Sequence, residues 1–326
     1  MELLVLDDRD VEGLLSIEEC MPVMEEALSV LARGEACQPL RSMVAPDQAA
    51  GVMGLMPAYL GGETPSLGVK VIGVFAGNRQ RGIDSHQGAV LLLSPRTGEV
   101  RAVMDASALT GIRTAAVSAV ATRLLAREDA GDLALIGAGV QAVYHLDAMA
   151  LVRDLRRVRV VSRTGDTARR FAEEHGARFS FPIDSVSSVE EAVRGADLVV
   201  TATTATSPVL RGAWLAPGTH VNVIGGPGAN EVDVEAISRA ALFLDDRTAA
   251  ENESGEYRAA VTAGAIGPEH VRGTLGEVLA GMRPGRSSAD EVTLFKSLGI
   301  GIEDVAAAAY VYSRACDEEV GTWVRT

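Results

Sequence analysis

The sequence predicts an α/β protein in which a doubly wound parallel sheet is joined to a smaller β-rich α+β domain. Three observations carry this. Short β-rich runs fill residues 40–105, apolar strands and helices alternate from about residue 113 onward, and a glycine-rich strand–turn–helix spans Leu133–Ala142. Alternation of this kind builds a parallel sheet with helices on both faces. A chain of 326 residues has room for two domains of ordinary size. The expected division gives residues 113–302 to the doubly wound part and residues 1–112 with 303–326 to the β-rich part.

Leu3–Leu6 reads as a strand. Ser16-Ile17-Glu18-Glu19 supplies a capping box for a helix whose apolar face is Ile17, Cys20, Met21, Met24, Leu28 and Leu31, with Gly34 as its stop. Leu67–Phe75, Ala89–Leu93 and Val100–Met104 read as strands of an antiparallel or mixed sheet. Residues 113–127 predict a helix opened by Arg113, with Val117, Val120, Ala121, Leu124 and Leu125 on one face. Leu133–Ile136 leads to a helix over 140–152, and Val158–Ser162 to one over 166–175. Leu198–Ala202, His220–Ile224 and Leu242–Asp245 are further short apolar runs. From Leu298 the tail reads as helical and alanine-rich.

The net charge of −14 argues against nucleic acid and against an anionic membrane surface, since both need clustered Lys and Arg. Cys20, Cys37 and Cys316 are scattered and odd in number, which fits a reducing compartment and gives no zinc spacing. Met1-Glu2-Leu3 lacks the basic and apolar segments of a signal peptide, and no run approaches the ~18 apolar residues of a membrane span. The expected location is cytoplasmic. The five histidines are isolated, so no metal is expected. Asp84, Ser85 and His86 are neighbours, but without a GxSxG elbow a hydrolase triad is not indicated.

The sharpest motif is Gly137-Ala138-Gly139-Val140-Gln141-Ala142, a GxGxxA between an apolar strand and a helix. Gly137 permits the tight turn, Gly139 lets backbone approach a pyrophosphate, and Ala142 allows close helix–strand packing. The helix N-terminus adds N–H donors and a positive dipole end. This is the fingerprint of a Rossmann dinucleotide site. The next strand ends in Ser162-Arg163-Thr164, where an NAD site usually offers an acidic residue to the ribose. An arginine between two hydroxyls suits a 2′-phosphate, so NADP(H) is expected in preference to NAD(H). Asp166 is assigned to the following helix cap.

Three cations occupy unusual settings. Lys70 lies in the apolar strand Gly68-Val69-Lys70-Val71-Ile72, Arg113 at a helix start, and Arg41 after Gln38-Pro39-Leu40. Burial near other cations would lower the pKa of Lys70 and make it a general acid–base, and two arginines could clamp a carboxylate. Structural salt bridges would explain the same pattern equally well.

Several segments together resemble the ornithine cyclodeaminase/μ-crystallin family along nearly the whole chain. They are Met56-Pro57-Ala58-Tyr59, Gly68-Val69-Lys70-Val71, Thr110-Gly111-Ile112-Arg113-Thr114-Ala115-Ala116, Gly137-Ala138-Gly139-Val140-Gln141, Val221-Asn222-Val223-Ile224-Gly225 and Phe295-Lys296-Ser297-Leu298-Gly299. The resemblance implies a β-rich substrate and dimerisation domain, a Rossmann domain, an active site between them and a homodimer. It implies that Arg41, Lys70, Arg113 and Leu298 meet a small amino-acid or imino-acid substrate, with Lys70 catalytic. It also implies that Ser85, Arg113, Thr114, Val140, Gln141, Thr203, Val223, Ile224, Gly225 and Ser297 surround the dinucleotide.

One departure bears on the reaction. Ornithine cyclodeaminases look like Gly-Gly-Asp-Cys-Pro-Gly-Lys in the loop after the Asn-containing strand, with a catalytic Asp. Here the loop reads Gly225-Gly226-Pro227-Gly228-Ala229-Asn230-Glu231, two residues shorter and without that Asp, and Asp233 is not a substitute. The leading expectation is therefore a reductase of cyclic ketimines or imino acids, or an amino-acid dehydrogenase, with hydride transfer at the α-carbon. Ornithine cyclodeamination and a non-enzymatic NADPH or small-ligand binder are the alternatives.

Overall fold

The computed structural model describes residues 2–83 and 85–325, so Asp84, noted beside Ser85 and His86, lies outside the described residues. The chain divides into two compact units, Met1–Arg113 with Ile300–Thr326, and Thr114–Gly299. In chain order the first unit begins with β1 (Glu2–Leu6), α1 (Asp8–Leu14) and α2 (Ile17–Ala32). It continues with β2 (Ala36–Cys37), β3 (Ser42–Val44), β4 (Val52–Leu60), β5 (Ser66–Val74), β6 (His86–Leu93) and β7 (Val100–Asp105). Helix α3 (Ala106–Leu125) carries the chain into the second unit. That unit holds β8 (Asp132–Ile136), α4 (Val140–Val152), β9 (Arg157–Val161), α5 (Gly165–Gly176), β10 (Ile183–Ser185), α6 (Val189–Val193) and β11 (Leu198–Thr201). There follow β12 (His220–Val223), α7 (Val234–Arg239), β13 (Ala241–Leu244), α8 (Arg247–Glu253), α9 (Gly255–Thr262), β14 (Val271–Thr274), α10 (Leu275–Leu279) and β15 (Thr293–Lys296). The chain then returns to the first unit with α11 (Gly301–Glu318) and β16 (Thr322–Arg325).

The sheet of the first unit runs β16-β1-β7-β6-β5-β4-β2, with β3 also paired to β4, and only its β1–β7 pair is parallel. Period-2 alternation sorts its faces. Leu4, Leu6, Met56, Ala58, Val90, Leu92, Ala102 and Met104 are buried on the face covered by α2 and α11. On the other face Pro57, Val69, Leu91, Val103 and Val5 stand in one register row across five strands and remain partly or fully exposed.

The second sheet is wholly parallel in the order β10-β9-β8-β11-β12-β15-β13-β14. The order reverses direction between β8 and β11. In open α/β sheets that switch point, at the carboxyl ends of the strands, is where ligands bind. Buried polar contacts knit its interior. His145 of α4 bonds Ser118 Oγ of α3 at 2.9 Å and the Gln141 carbonyl at 2.7 Å. Asn222 of β12 donates to Thr122 Oγ1 at 2.8 Å, and His220 bonds Thr293 Oγ1 at 2.9 Å. The last carbonyls of α3 are capped by guanidinium groups. Arg153 takes those of Thr122 and Ala126, and Arg286 takes that of Leu125.

Three sequence expectations need correction. Helix α3 begins seven residues before Arg113, because Asp105 at the end of β7 accepts the Ala108 amide at 2.8 Å and starts the helix there. Arg113 is therefore a helix-interior residue. The tail is not helical throughout: Glu319 turns at φ 57°, and Thr322–Arg325 pairs antiparallel with β1. The N-cap of α5 is Thr164, while Asp166 sits in the first turn and pairs with Arg169 at 3.0 Å.

The two core histidines link this packing to pH. Burial pushes His145 down to about 4 and His220 down to about 3. Both are neutral in the fold, whereas in the unfolded chain they take up protons below about pH 6.5. Their contribution is intact above that value and is lost as pH falls toward about 4 for His145 and about 3 for His220. Thermal midpoints are expected to drop between about pH 6.5 and pH 5, and His145→Asn with His220→Asn to flatten that slope. A slope unchanged in the double variant would remove these residues as its source.

Candidate active site

In the second unit the Gly137 turn is fixed by contacts at the switch point. Gly137 has φ 113°, and its amide donates to the Val161 carbonyl at 2.8 Å. A Cβ at Gly137 would stand 2.3 Å from the Ala202 carbonyl oxygen, so the turns after β8 and β11 meet where only glycine fits. Gly139 differs. It is the N-cap of α4 without a side-chain cap, and a Cβ there would meet nothing within 4 Å. The first turn of α4 thus presents backbone N–H groups to open space, as a pyrophosphate requires. Val140 is exposed, and Gln141 Oε1 is buried with no protein partner among the described residues. This is a fit for a dinucleotide.

The Gly137–Val161 bond sets the end of β9 beside this turn. Ser162 Oγ donates to the Thr164 carbonyl at 2.7 Å, and Thr164 shares a hydroxyl bond of 2.7 Å with Thr167. That folds the loop and leaves Arg163 exposed. Thr203 follows β11, Val223 ends β12, and Ile224 and Gly225 follow it. Ser297 follows β15, where its buried Oγ has no protein partner among the described residues. Leu298 and Gly299 are pinned through their amides, at 2.5 and 2.8 Å, to Asp245, whose buried carboxyl is pushed up in pKa. Thr114, the first residue of this unit, is buried on α3.

In the first unit Lys70 and Arg113 are brought together by two carboxylates that sequence reasoning missed. Lys70 Nζ lies 2.7 Å from Asp304 Oδ2 and 3.4 Å from Thr110 Oγ1. Arg113 donates from Nε to Asp304 Oδ1 at 2.9 Å and from Nη1 to Glu303 Oε2 at 2.7 Å. Lys70 and Arg113 are 3% and 4% exposed, and Glu303 and Asp304 not at all. Two acidic residues at a helix start read as ordinary first-turn acids, and only their burial marks them. Salt bridges do exist at both cations, as the bland reading of the sequence held. Arg41 is half-buried, with Nη1 4.0 Å from Met56 Sδ. Ser85 is buried and bonds the His86 ring at 3.1 Å.

The charges shift one another. Burial pushes Lys70 down, Asp304 pulls it back up, and Arg113 and Arg41 push it down again, for a net value of about 8. Burial would raise Asp304, but Arg113 and Lys70 outweigh it and hold it below the usual carboxylate range. Three cations stand against two carboxylates, which leaves the cluster suited to an anion.

A Rossmann sheet with an open glycine turn, together with a unit that buries a titratable lysine beside an arginine, is the architecture of a dinucleotide-dependent enzyme. The chain matches the ornithine cyclodeaminase/mu-crystallin family model over residues 1–319, and it belongs to that family. It is 38% identical to the ketimine reductase mu-crystallin of Mus musculus over 92% of this chain and 93% of that one. Thermococcus litoralis Delta(1)-pyrroline-2-carboxylate reductase, solved with NADH and L-proline, superposes with a TM-score of 0.94 at 37% identity, covering 98% of this chain and 99% of that one. An archaeal alanine dehydrogenase dimer with bound NAD gives 0.93 at 37% identity, covering 100% and 99%.

The two glycines separate fold from binding. Gly139→Ala is expected to melt like the unchanged protein and to bind NADH at least about tenfold more weakly. Gly137→Ala is expected to cost about 1–3 kcal/mol of stability through backbone strain. Equal NADH titration curves for Gly139→Ala and the unchanged protein would show that no ligand backbone approaches there.

Proposed function

We propose that this protein reduces a cyclic ketimine or imino acid at its α-carbon with a nicotinamide cofactor, or runs the reverse oxidation of a small L-amino acid. The observation that carries the reading is Lys70, buried at about 8 between Asp304 and two arginines. When bound, the nicotinamide cofactor supplies the hydride. Gly137, Gly139, Val140 and Gln141 hold its pyrophosphate side. Arg41 and Arg113 hold the substrate carboxylate, and the bonds from Glu303 and Asp304 fix the plane of the Arg113 guanidinium so that the acceptor is met in one orientation. Lys70 gives a proton to the imine nitrogen in reduction and takes it in oxidation, and a pKa near the working pH suits both directions.

The loop after β12 favours a reductase over a cyclodeaminase. Its two nearby carboxylates are both committed within the second unit. Glu231 is wholly buried and bonded to Thr201, Thr203 and Gly225, and Asp233 caps α7 through the Ala236 amide at 2.8 Å. Neither occupies the position directly after the paired glycines, which is Pro227 here. For the cofactor, exposed Arg163 beside the glycine turn supports NADP(H) over NAD(H). For assembly, the row Pro57–Val69–Leu91–Val103–Val5 is an apolar stripe that remains partly or fully exposed, which fits a second copy of this chain in a homodimer.

Absorbance at 340 nm with NADPH or NADH and Δ1-piperideine-2-carboxylate, Δ1-pyrroline-2-carboxylate or 2-oxo acids with amines is expected to show rapid oxidation with one imine. Lys70→Met should lose about 10²-fold or more in kcat, and Arg163→Ala should lose its preference for NADPH. In reduction kcat/KM should fall as pH rises through about 8, and in oxidation it should rise there. Asp304→Asn removes the anion that raises Lys70, so the break should move to lower pH. Full turnover in Lys70→Met would end this mechanism. Separately, Leu91→Glu is expected to elute as a monomer with its fold retained, and an unchanged oligomer would place the interface elsewhere.

A further inference from the structure

We infer that Glu231, which the mechanism above does not use, is a positioning residue for the dinucleotide: its buried carboxylate ties the loop after β11 to the loop after β12. The inference rests on the dinucleotide reading of the switch point. Glu231 Oε1 accepts the Thr203 amide and the Thr203 hydroxyl, both at 2.7 Å. Its Oε2 accepts the Gly225 amide at 2.8 Å and the Thr201 hydroxyl at 2.9 Å. A carboxylate has about four acceptor sites, and here three are spent on the two loops and the fourth on Thr201 at the end of β11. Both loops sit at the carboxyl edge of the sheet, and the first also touches the Gly137 turn through Ala202.

Glu231 is itself held. Its amide donates to Glu256 Oε1 at 2.9 Å. Lys296 Nζ donates to the Gly225 carbonyl at 2.6 Å and lies 3.5 Å from Glu256 Oε2. Gly225 is thus gripped at its N–H by one side chain and at its C=O by another. A Cβ there would stand 2.6 Å from Glu231 Oε2, so the loop lies directly on the carboxylate.

Glu231, Glu256 and Lys296 are 0–1% exposed. Packing such charges is costly, and apolar residues of similar volume commonly stabilise a fold as well or better. What a carboxylate provides and an apolar side chain does not is a fixed set of acceptors for backbone amides. Burial raises the Glu231 carboxyl, and the nearby Lys296 ammonium, followed by the threonine bonds, works against that rise.

The test is direct titration of NADPH and NADH by their fluorescence on the full chain. Glu231→Gln replaces two of the acceptor sites with a donating NH₂ group, so either the Thr203 or the Gly225 amide loses its partner. The dissociation constant is expected to rise about tenfold or more, with the KM for the cofactor following it and kcat within about threefold. Thr201→Val removes one bond to Glu231 from a wholly buried position, and a smaller rise is expected. The double variant should bind no more weakly than Glu231→Gln alone, because Thr201 acts through Glu231. Unchanged binding in a folded Glu231→Gln, or strictly additive losses in the double variant, would overturn the assignment. If Glu231→Gln does not fold, Thr201→Val decides, and unchanged binding there overturns it. Binding without reduction of any imine would count against the proposed reaction and leave this test intact. No binding by the unchanged protein would sink both.

Discussion

The first unit depends on how it buries charge. Arg113 and Lys70 are drawn from α3 and β5 onto the first turn of α11, where Glu303 and Asp304 meet them at 2.7–2.9 Å. Isolated, each of these groups would cost several kcal/mol in so dry a setting. Assembled, they leave the lysine titratable near neutrality. Asp304 is the pivot, since it bonds both cations through different oxygens and thereby fixes their separation. That constraint explains why a lysine can lie in an apolar strand, and why α11 must come back from the far end of the chain to complete this unit.

The second unit uses the same means for another end. Its carboxylates accept backbone amides: Asp245 those of Leu298 and Gly299, and Glu231 those of Thr203 and Gly225. Loops at the carboxyl edge of a parallel sheet have no ladder to hold them, and a buried carboxylate supplies the missing acceptors. Glycine appears where such loops are most crowded, at Gly137 against the Ala202 backbone and at Gly225 against the Glu231 carboxylate. In the proposed reading, acid–base work and ligand support thus rest on different carboxylates in different units.

Much of this was legible in the residues. The 3.6-residue stripe and capping box gave α2 almost to the residue, and apolar runs separated by glycine gave β8, β9 and β11. The GxGxxA turn and the family segments pointed to a dinucleotide and to Arg41, Lys70 and Arg113. Local rules misled where a single residue governs: Asp105 starts α3 seven residues before Arg113, and the terminal residues extend into β16 because β1 offers an edge.

Sequence by itself therefore determined the main helices and apolar strands, the α/β class and the family, because periodicity, caps and turn glycines act within a few residues of where they are read. Tertiary structure alone decided which charges meet. Arg113 and Glu303 are 190 positions apart, and Thr203 and Glu231 are 28 apart. Nothing in the local pattern of Gly301-Ile302-Glu303-Asp304 distinguishes a solvated helix start from a buried ion cluster. Burial makes the difference, and burial is a property of the packed sheet and helices, not of any one segment.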